Sequence, residues 1–175
     1  MPDGHQIALR VRRSLEQIPD TARRLGISTT GCWTVLIKEQ LARLGDEMDY
    51  AVCTSGAVRA NPQGQPWPDW LYDLTWLKMV DGGKHLARVP LVLEAEWHSH
   101  RGEQIDADFQ ELLLARADLR VMVFQQRKAS AVQTVMDDLE RQAKAFEATG
   151  SGDLYLLCGY DWEDTRRFAF RTFAT

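Results

Sequence analysis

Cysteine is scarce in this chain. Cys32, Cys53 and Cys158 are odd in number and far apart, and no two of them form a CxxC pair. That usage argues against a disulfide framework and against a zinc site built on thiolates. Long apolar runs are missing too: none approaches the roughly 20 residues needed to span a bilayer. The opening stretch MPDGHQIALRVRR lacks the apolar centre of a signal peptide, so the expected compartment is the cytoplasm. Internal repeats and low-complexity tracts are absent. Positive charge is not in excess either. A net charge of -4 argues against a nucleic-acid coat protein. It leaves a nucleic-acid enzyme open, because acidic metal ligands offset basic phosphate contacts in the total.

What is present suits one soluble domain of 175 residues, large enough to bury a core. In residues 6–25, Ile7, Val11, Leu15 and Ile18 form a helical stripe. Pro19 is expected to break it, with Asp20 or Thr21 capping a short second helix. From Thr30 to Leu44 the positions Trp33, Leu36, Ile37, Leu41 and Leu44 predict a helix with one apolar face, which Gly45 stops. YAVCT (50–54) reads as a strand. ANPQGQPWP (60–68) holds three of the six prolines and reads as a loop. WLYDLTWLKM (70–79) and RVPLVLEAEW (88–97) read as strands joined by the DGGK turn, with Pro90 marking an edge or a bulge. A helix over 105–117, capped by Asp106 and Asp108, and a buried strand LRVMVF (119–124) follow. A long helix over 131–148 and a closing pair of strands, DLYLLCGYDW and RRFAFRTF, end the chain. The order predicts an α/β domain with a mixed sheet.

LVLEAEWHSH (91–100) is the most informative stretch. Side chains of an extended segment alternate between faces. Leu91, Leu93, Ala95 and Trp97 then share one face, and Glu94, Glu96, His98 and His100 the other. A hairpin turning near Gly83 brings Asp73 beside Leu93 or Glu94. Two strand ends thus pool carboxylates that burial would penalise unless compensated, and a divalent cation is one compensator. Mg²⁺ is commonly held by one or two carboxylates together with substrate phosphate oxygens. The alternative is a solvated strand end with ordinary surface acids. Arginines cluster at Arg10–Arg13, Arg23–Arg24 and Arg166–Arg171, either as solvated faces or as phosphate contacts. Trp67, Trp70 and Trp76 surround the Pro-rich loop as packing residues, with base stacking by Trp67 as the other reading.

Helix, strand, a strand with Asp73 in WLYDLTW, a strand with Glu94 in VLEAEW, helix, strand: this order resembles the PD-(D/E)XK nuclease superfamily. The resemblance covers about residues 30–125, with the helical segment 6–25 before it and the helix and hairpin 131–173 after it. It implies a restriction-endonuclease-like core, a central mixed β-sheet flanked by helices, in a single nuclease-like domain. It also implies a metal-dependent phosphodiesterase acting on DNA, with Mg²⁺ or Mn²⁺ held by Asp73, Glu94, Glu96 and Glu39. Asp73, Glu94 and Glu96 are the candidate catalytic residues. Glu39, on the first core helix, stands where many members carry an additional glutamate. Glu96 stands where the family's lysine is expected. Some restriction endonucleases are similar in carrying glutamate there and remain active. Glu96 could accept a proton directly or hold a second metal. Lys78 and Lys84 are the lysines nearest in sequence, and neither is assigned the missing role. Compact nucleases of this kind often act as homodimers.

EWHSH is also similar to the HxH segment of JAMM/MPN zinc isopeptidases. That resemblance implies Zn²⁺ held by His98, His100 and Glu111, with Glu39 or Glu47 as base. Three departures weigh against it. Arg101 replaces the proline that usually follows HxH, Asp108 and Glu111 replace the downstream serine and aspartate, and the segment before Glu39 is helical. A third reading is a catalytically silent domain that binds DNA or a protein partner.

Overall fold

Alternation in the apolar strands and three-to-four spacing in the helices resolve into one six-stranded sheet between two helical layers. The computed structural model describes residues 2–57, 60–97 and 102–175. In chain order the elements are α1 (Gly4–Glu16), α2 (Ile18–Leu25), α3 (Thr30–Glu47), β1 (Ala51–Thr54), β2 (Leu74–Val80) and β3 (His85–Glu96). Then come α4 (Gly102–Leu114), β4 (Arg120–Gln126), α5 (Ala129–Ala145), β5 (Leu154–Asp161) and β6 (Phe168–Ala174). The strands lie in sequence order across the sheet. β3, β4 and β5 are parallel, and β1, β2 and β6 extend the sheet with antiparallel pairs. The C-terminal strands β5 and β6 therefore continue the same sheet, with α5 packed on its face. None of the described helices is long and apolar enough to cross a membrane.

The pleat of β3 divides the core. Leu91, Leu93, Ala95 and Trp97 pack with Ile7, Val11, Leu15, Trp33, Ile37 and Leu41 from α1 and α3. Val92 turns the other way, toward Ile105, Phe109 and Leu112 of α4 and Val132, Met136 and Leu139 of α5. Glu94 and Glu96, two and four residues beyond Val92, share that second face by the same alternation.

Several local expectations shift. Pro19 does not end the first helix. It sits in the first turn of α2, where its missing N–H leaves no hydrogen bond unmade, and the break falls at Gln17. Asp20 accordingly lies inside α2 and accepts a hydrogen bond from Arg23. Asp106 and Asp108 lie within α4 rather than capping it, because the helix already begins at Gly102. Pro90 falls where the β2–β3 register shifts, and before β3 starts to pair with β4 at Val92. Its lack of an N–H disturbs no ladder there.

Gly45 does not stop α3, which runs on to Glu47. Its reason is close approach: a Cβ there would stand 2.6 Å from both the Trp76 Nε1 and the Val52 Cγ2 atoms. Helix propensity alone makes Gly→Ala stabilising by about 1 kcal/mol. Overpacking against Trp76 and Val52 is expected to reverse the sign. We expect Gly45→Ala to lose about 1–3 kcal/mol of stability, measured as a lower urea midpoint. An unchanged or higher midpoint would show that the α3–sheet contact yields freely.

Candidate functional site

The site is built where β2 begins and β3 ends. Leu74 pairs with Leu93, which sets Asp73 directly opposite Glu94. The hairpin register thus does what the sequence reading expected. Asp73 itself lies just before β2, not within it. Freed from the ladder, its carboxylate becomes a junction. Oδ2 accepts the Ala95 backbone N–H at 3.1 Å, and Oδ1 accepts from the Lys38 ammonium at 2.8 Å. The Asp73 main chain is fixed as well. Its carbonyl accepts from the Thr54 hydroxyl at 2.8 Å, and its N–H donates to the Glu94 carboxylate.

Lys38 comes from α3. Its side chain is only 7% exposed, and its ammonium also meets the Ser55 hydroxyl at 3.2 Å. Two of its three N–H donors are thereby engaged. Sequence reading missed it. Lys78 is drawn to Asp49 instead, at 3.0 Å, and Lys84 lies in the exposed turn at the far end of the hairpin. One signal for Lys38 was available. It follows Ile37 by one residue and precedes Leu41 by three, so it falls beside the apolar stripe of α3, on the buried side of the helix. A lysine in such a place needs a partner.

Glu94 and Glu96 are both buried. Burial raises the Glu94 carboxyl from its ordinary 4.5 to about 8, aided by the negative charges of Asp73, Glu111 and Asp108. Asp108 of α4 is pushed upward too, by burial first and then by Glu96, Glu111 and Asp73, against a hydrogen bond from Gln104. Burial, with Glu94 and Glu111, likewise raises the Tyr72 phenol. The acidic face of β3 therefore meets a second set of acids on α4. Glu111, given a role from the sequence only in the zinc reading, belongs to this group. Glu39 is buried on α3 and lines a hollow of about 310 Å³ with Gln17, Thr21, Arg24 and Arg43, on the side of α2. Trp67 is partly buried and packs against the core cluster that includes residues of α1 and α3. His98 and His100 lie outside the described residues, and with them the zinc reading.

The chain matches no family model, no curated protein and no solved structure.

Among the described residues, no three acidic, histidine or cysteine side chains are arranged to hold a metal ion. Asp73 and Glu94 supply two adjacent carboxylates, and Glu94 is a group whose ionised form is disfavoured until positive charge arrives. Mg²⁺ binds with one or two protein carboxylates when phosphate oxygens complete its shell. The donor chemistry of Asp73 and Glu94 fits that pattern.

The raised Glu94 carboxyl has a consequence for stability. Between about pH 4.5 and about pH 8 the folded metal-free protein holds a proton that the unfolded chain has released. Stability is expected to fall as pH rises through that window and to level off above it. Glu94→Gln, a neutral mimic of the protonated carboxyl, should remove most of the slope. Urea unfolding of both proteins in EDTA across the window measures this. Equal slopes would refute the assignment to Glu94.

Proposed function

We propose that this chain is a metal-dependent phosphodiesterase of the restriction-endonuclease-like kind, acting on DNA. The observation that carries the reading is the meeting of Lys38 from α3 with Asp73, directly opposite the buried Glu94. Lysine is absent from the position two residues after Glu94, where the resemblance expects it. Lys38 supports the reading by delivering an ammonium to the same carboxylate pair from another element. A buried ion pair with such unequal surroundings is weak as a stabilising device, since desolvation offsets most of its attraction. Its value here is to hold one positive charge beside two acids.

Asp73 and Glu94 would hold Mg²⁺ or Mn²⁺, with Glu96 next on the same face of β3. The ion supplies charge stabilisation at the phosphoryl oxygens and eases ionisation of water. The chain's own groups do the rest. The third N–H of Lys38 donates to a non-bridging phosphate oxygen and orients the scissile group. Glu96 would accept the proton that the attacking water gives up as the new P–O bond forms; the old P–O bond breaks with its electron pair leaving on the departing oxygen, which takes a proton from solvent. Ser55 and the Ala95 N–H keep Lys38 and Asp73 in register, so that neither must reorganise during the reaction.

The test is cleavage of a labelled DNA duplex and of its separated strands with Mg²⁺ or Mn²⁺. Asp73→Asn and Glu94→Gln are expected to lose cleavage by about 100-fold or more, and Lys38→Met by a similar factor. Circular dichroism confirms that each variant is folded. Full activity in both carboxylate variants would end the assignment. Absence of cleavage by the parent protein on every substrate would favour a silent binding domain.

A further inference from the structure

A second feature stands at the same edge of the sheet. Because β3, β4 and β5 are parallel, their carboxyl ends, at Glu96, Gln126 and Asp161, share one edge. In doubly wound α/β sheets ligands sit outside the carboxyl ends of the strands where the strand order reverses; here the order runs without reversal, so a hollow at this edge stands on its own lining. A hollow of about 490 Å³ opens there, lined by Ser28, Thr30, Gln125, Arg127, Trp162 and Glu163. Its wall is built and held. The Asp161 carboxylate accepts the N–H groups of Asp164 at 2.9 Å and Thr165 at 2.6 Å, which fixes the turn after β5. The Trp162 N–H donates to the Gln126 and Arg127 carbonyls at 3.2 Å each. The indole is then locked on three sides. It lies 4.9 Å from Tyr160 and 5.2 Å from Trp33, edge to face in both cases, and its Nε1 donates to Gln125 Oε1.

Gln125 links this wall to the carboxylate site. Its Nε2 donates to the Trp97 carbonyl at 3.2 Å, one residue beyond Glu96. Glu96 is itself the register partner of Phe124, the residue before Gln125. A second link is α3, which contributes Thr30 to the hollow and Lys38 to Asp73. These positions lie about 12 Å apart along the helix axis at 1.5 Å per residue. A nucleic-acid strand covers that distance in about three to four nucleotides at 3.4 Å each.

We infer that this hollow binds a nucleobase and its phosphate from a single strand of nucleic acid, a few nucleotides from the bond at Asp73 and Glu94. Trp162, half-buried and rigid, presents the stacking surface. Arg127 is exposed and makes no ion pair among the described residues, so its guanidinium is available to phosphate. The hydroxyls of Ser28 and Thr30 add neutral hydrogen bonds. Glu163 opposes the phosphate and tunes the affinity downward. Gln125 is a positioning residue that ties the indole to the end of β3. The inference rests on the phosphodiesterase reading only for what happens to the strand, not for the binding itself.

The experiment uses the full chain in EDTA and the anisotropy of a fluorescein-labelled single-stranded oligodeoxynucleotide, followed across a salt series. Trp162→Ala is expected to weaken binding about tenfold, the size of one lost base stack, while Trp162→Phe keeps most of the affinity. Arg127→Ala should weaken binding and reduce the slope of log affinity against log salt by about 0.7, one phosphate contact on a single strand. Glu163→Gln should tighten it. Arg127 and Glu163 are exposed, so these variants report even where Trp162→Ala unsettles the aromatic cluster. Unchanged affinity and salt slope in Arg127→Ala overturn the subsite. So does a Trp162→Phe protein as weak as Trp162→Ala, and so does a parent protein that does not bind. Metal-dependent cleavage is read separately on the same proteins. Binding that depends on Trp162 and Arg127 without any cleavage retains the subsite and removes the phosphodiesterase. Cleavage lost in Asp73→Asn, with binding indifferent to Trp162 and Arg127, does the reverse.

Discussion

Strand β3 is bonded to unlike neighbours, antiparallel to β2 on one side and parallel to β4 on the other. It carries the sheet's change of direction, and its side chains divide the molecule into two cores. A slip of one residue would exchange the two faces, placing Glu94 and Glu96 among the apolar side chains of α1 and α3. The register is therefore held by burial on one side and by the acids on the other. The antiparallel partner delivers Asp73. The parallel partners place the ends of β4 and β5 at the same edge.

The acids at that edge are costly. Glu94, Glu96 and Asp108 lie close together, and burial with like charge drives Glu94 and Asp108 toward their neutral forms. Asp73 meets different partners, an ammonium on one carboxylate oxygen and a backbone N–H on the other. The two neighbouring carboxyls thus stand in unlike surroundings: Asp73 is met on both oxygens by donors, Glu94 chiefly by burial and like charge. Such a split is common where groups have separate tasks in proton transfer or metal binding.

The opposite side of the edge is aromatic. Trp33 and Trp97 stack at 5.4 Å, and Tyr160, Trp162 and Phe168 surround them. This cluster anchors the start of α3 against the ends of β3 and β5. Lys38 lies two turns further along that helix, so the aromatic packing also sets where the ammonium arrives. Position at the carboxylates and shape of the hollow beyond them share one support.

The sequence by itself determined the alternation at Leu91 to Trp97, the facing of Asp73 and Glu94 through a short hairpin, and the mixed α/β order. These follow from periodicity and from turn chemistry, which act over a few residues. It also placed nearly every helix and strand to within a few positions. Pro19, Gly45, Asp106 and Asp108 were misread because their local preferences have more than one structural use. Only tertiary contact told a helix stop from a close approach to Trp76. The partner of Lys38, the approach of Asp108 and Glu111 to β3, and the hollow at Trp162 belong to the tertiary structure alone. Each depends on segments distant in the chain: Lys38 meets Asp73 across 35 residues, and Gln125 meets Trp162 across 37. No pattern in a single stretch encodes such meetings. They arise when α3 packs across the sheet and the parallel strands bring their ends into line.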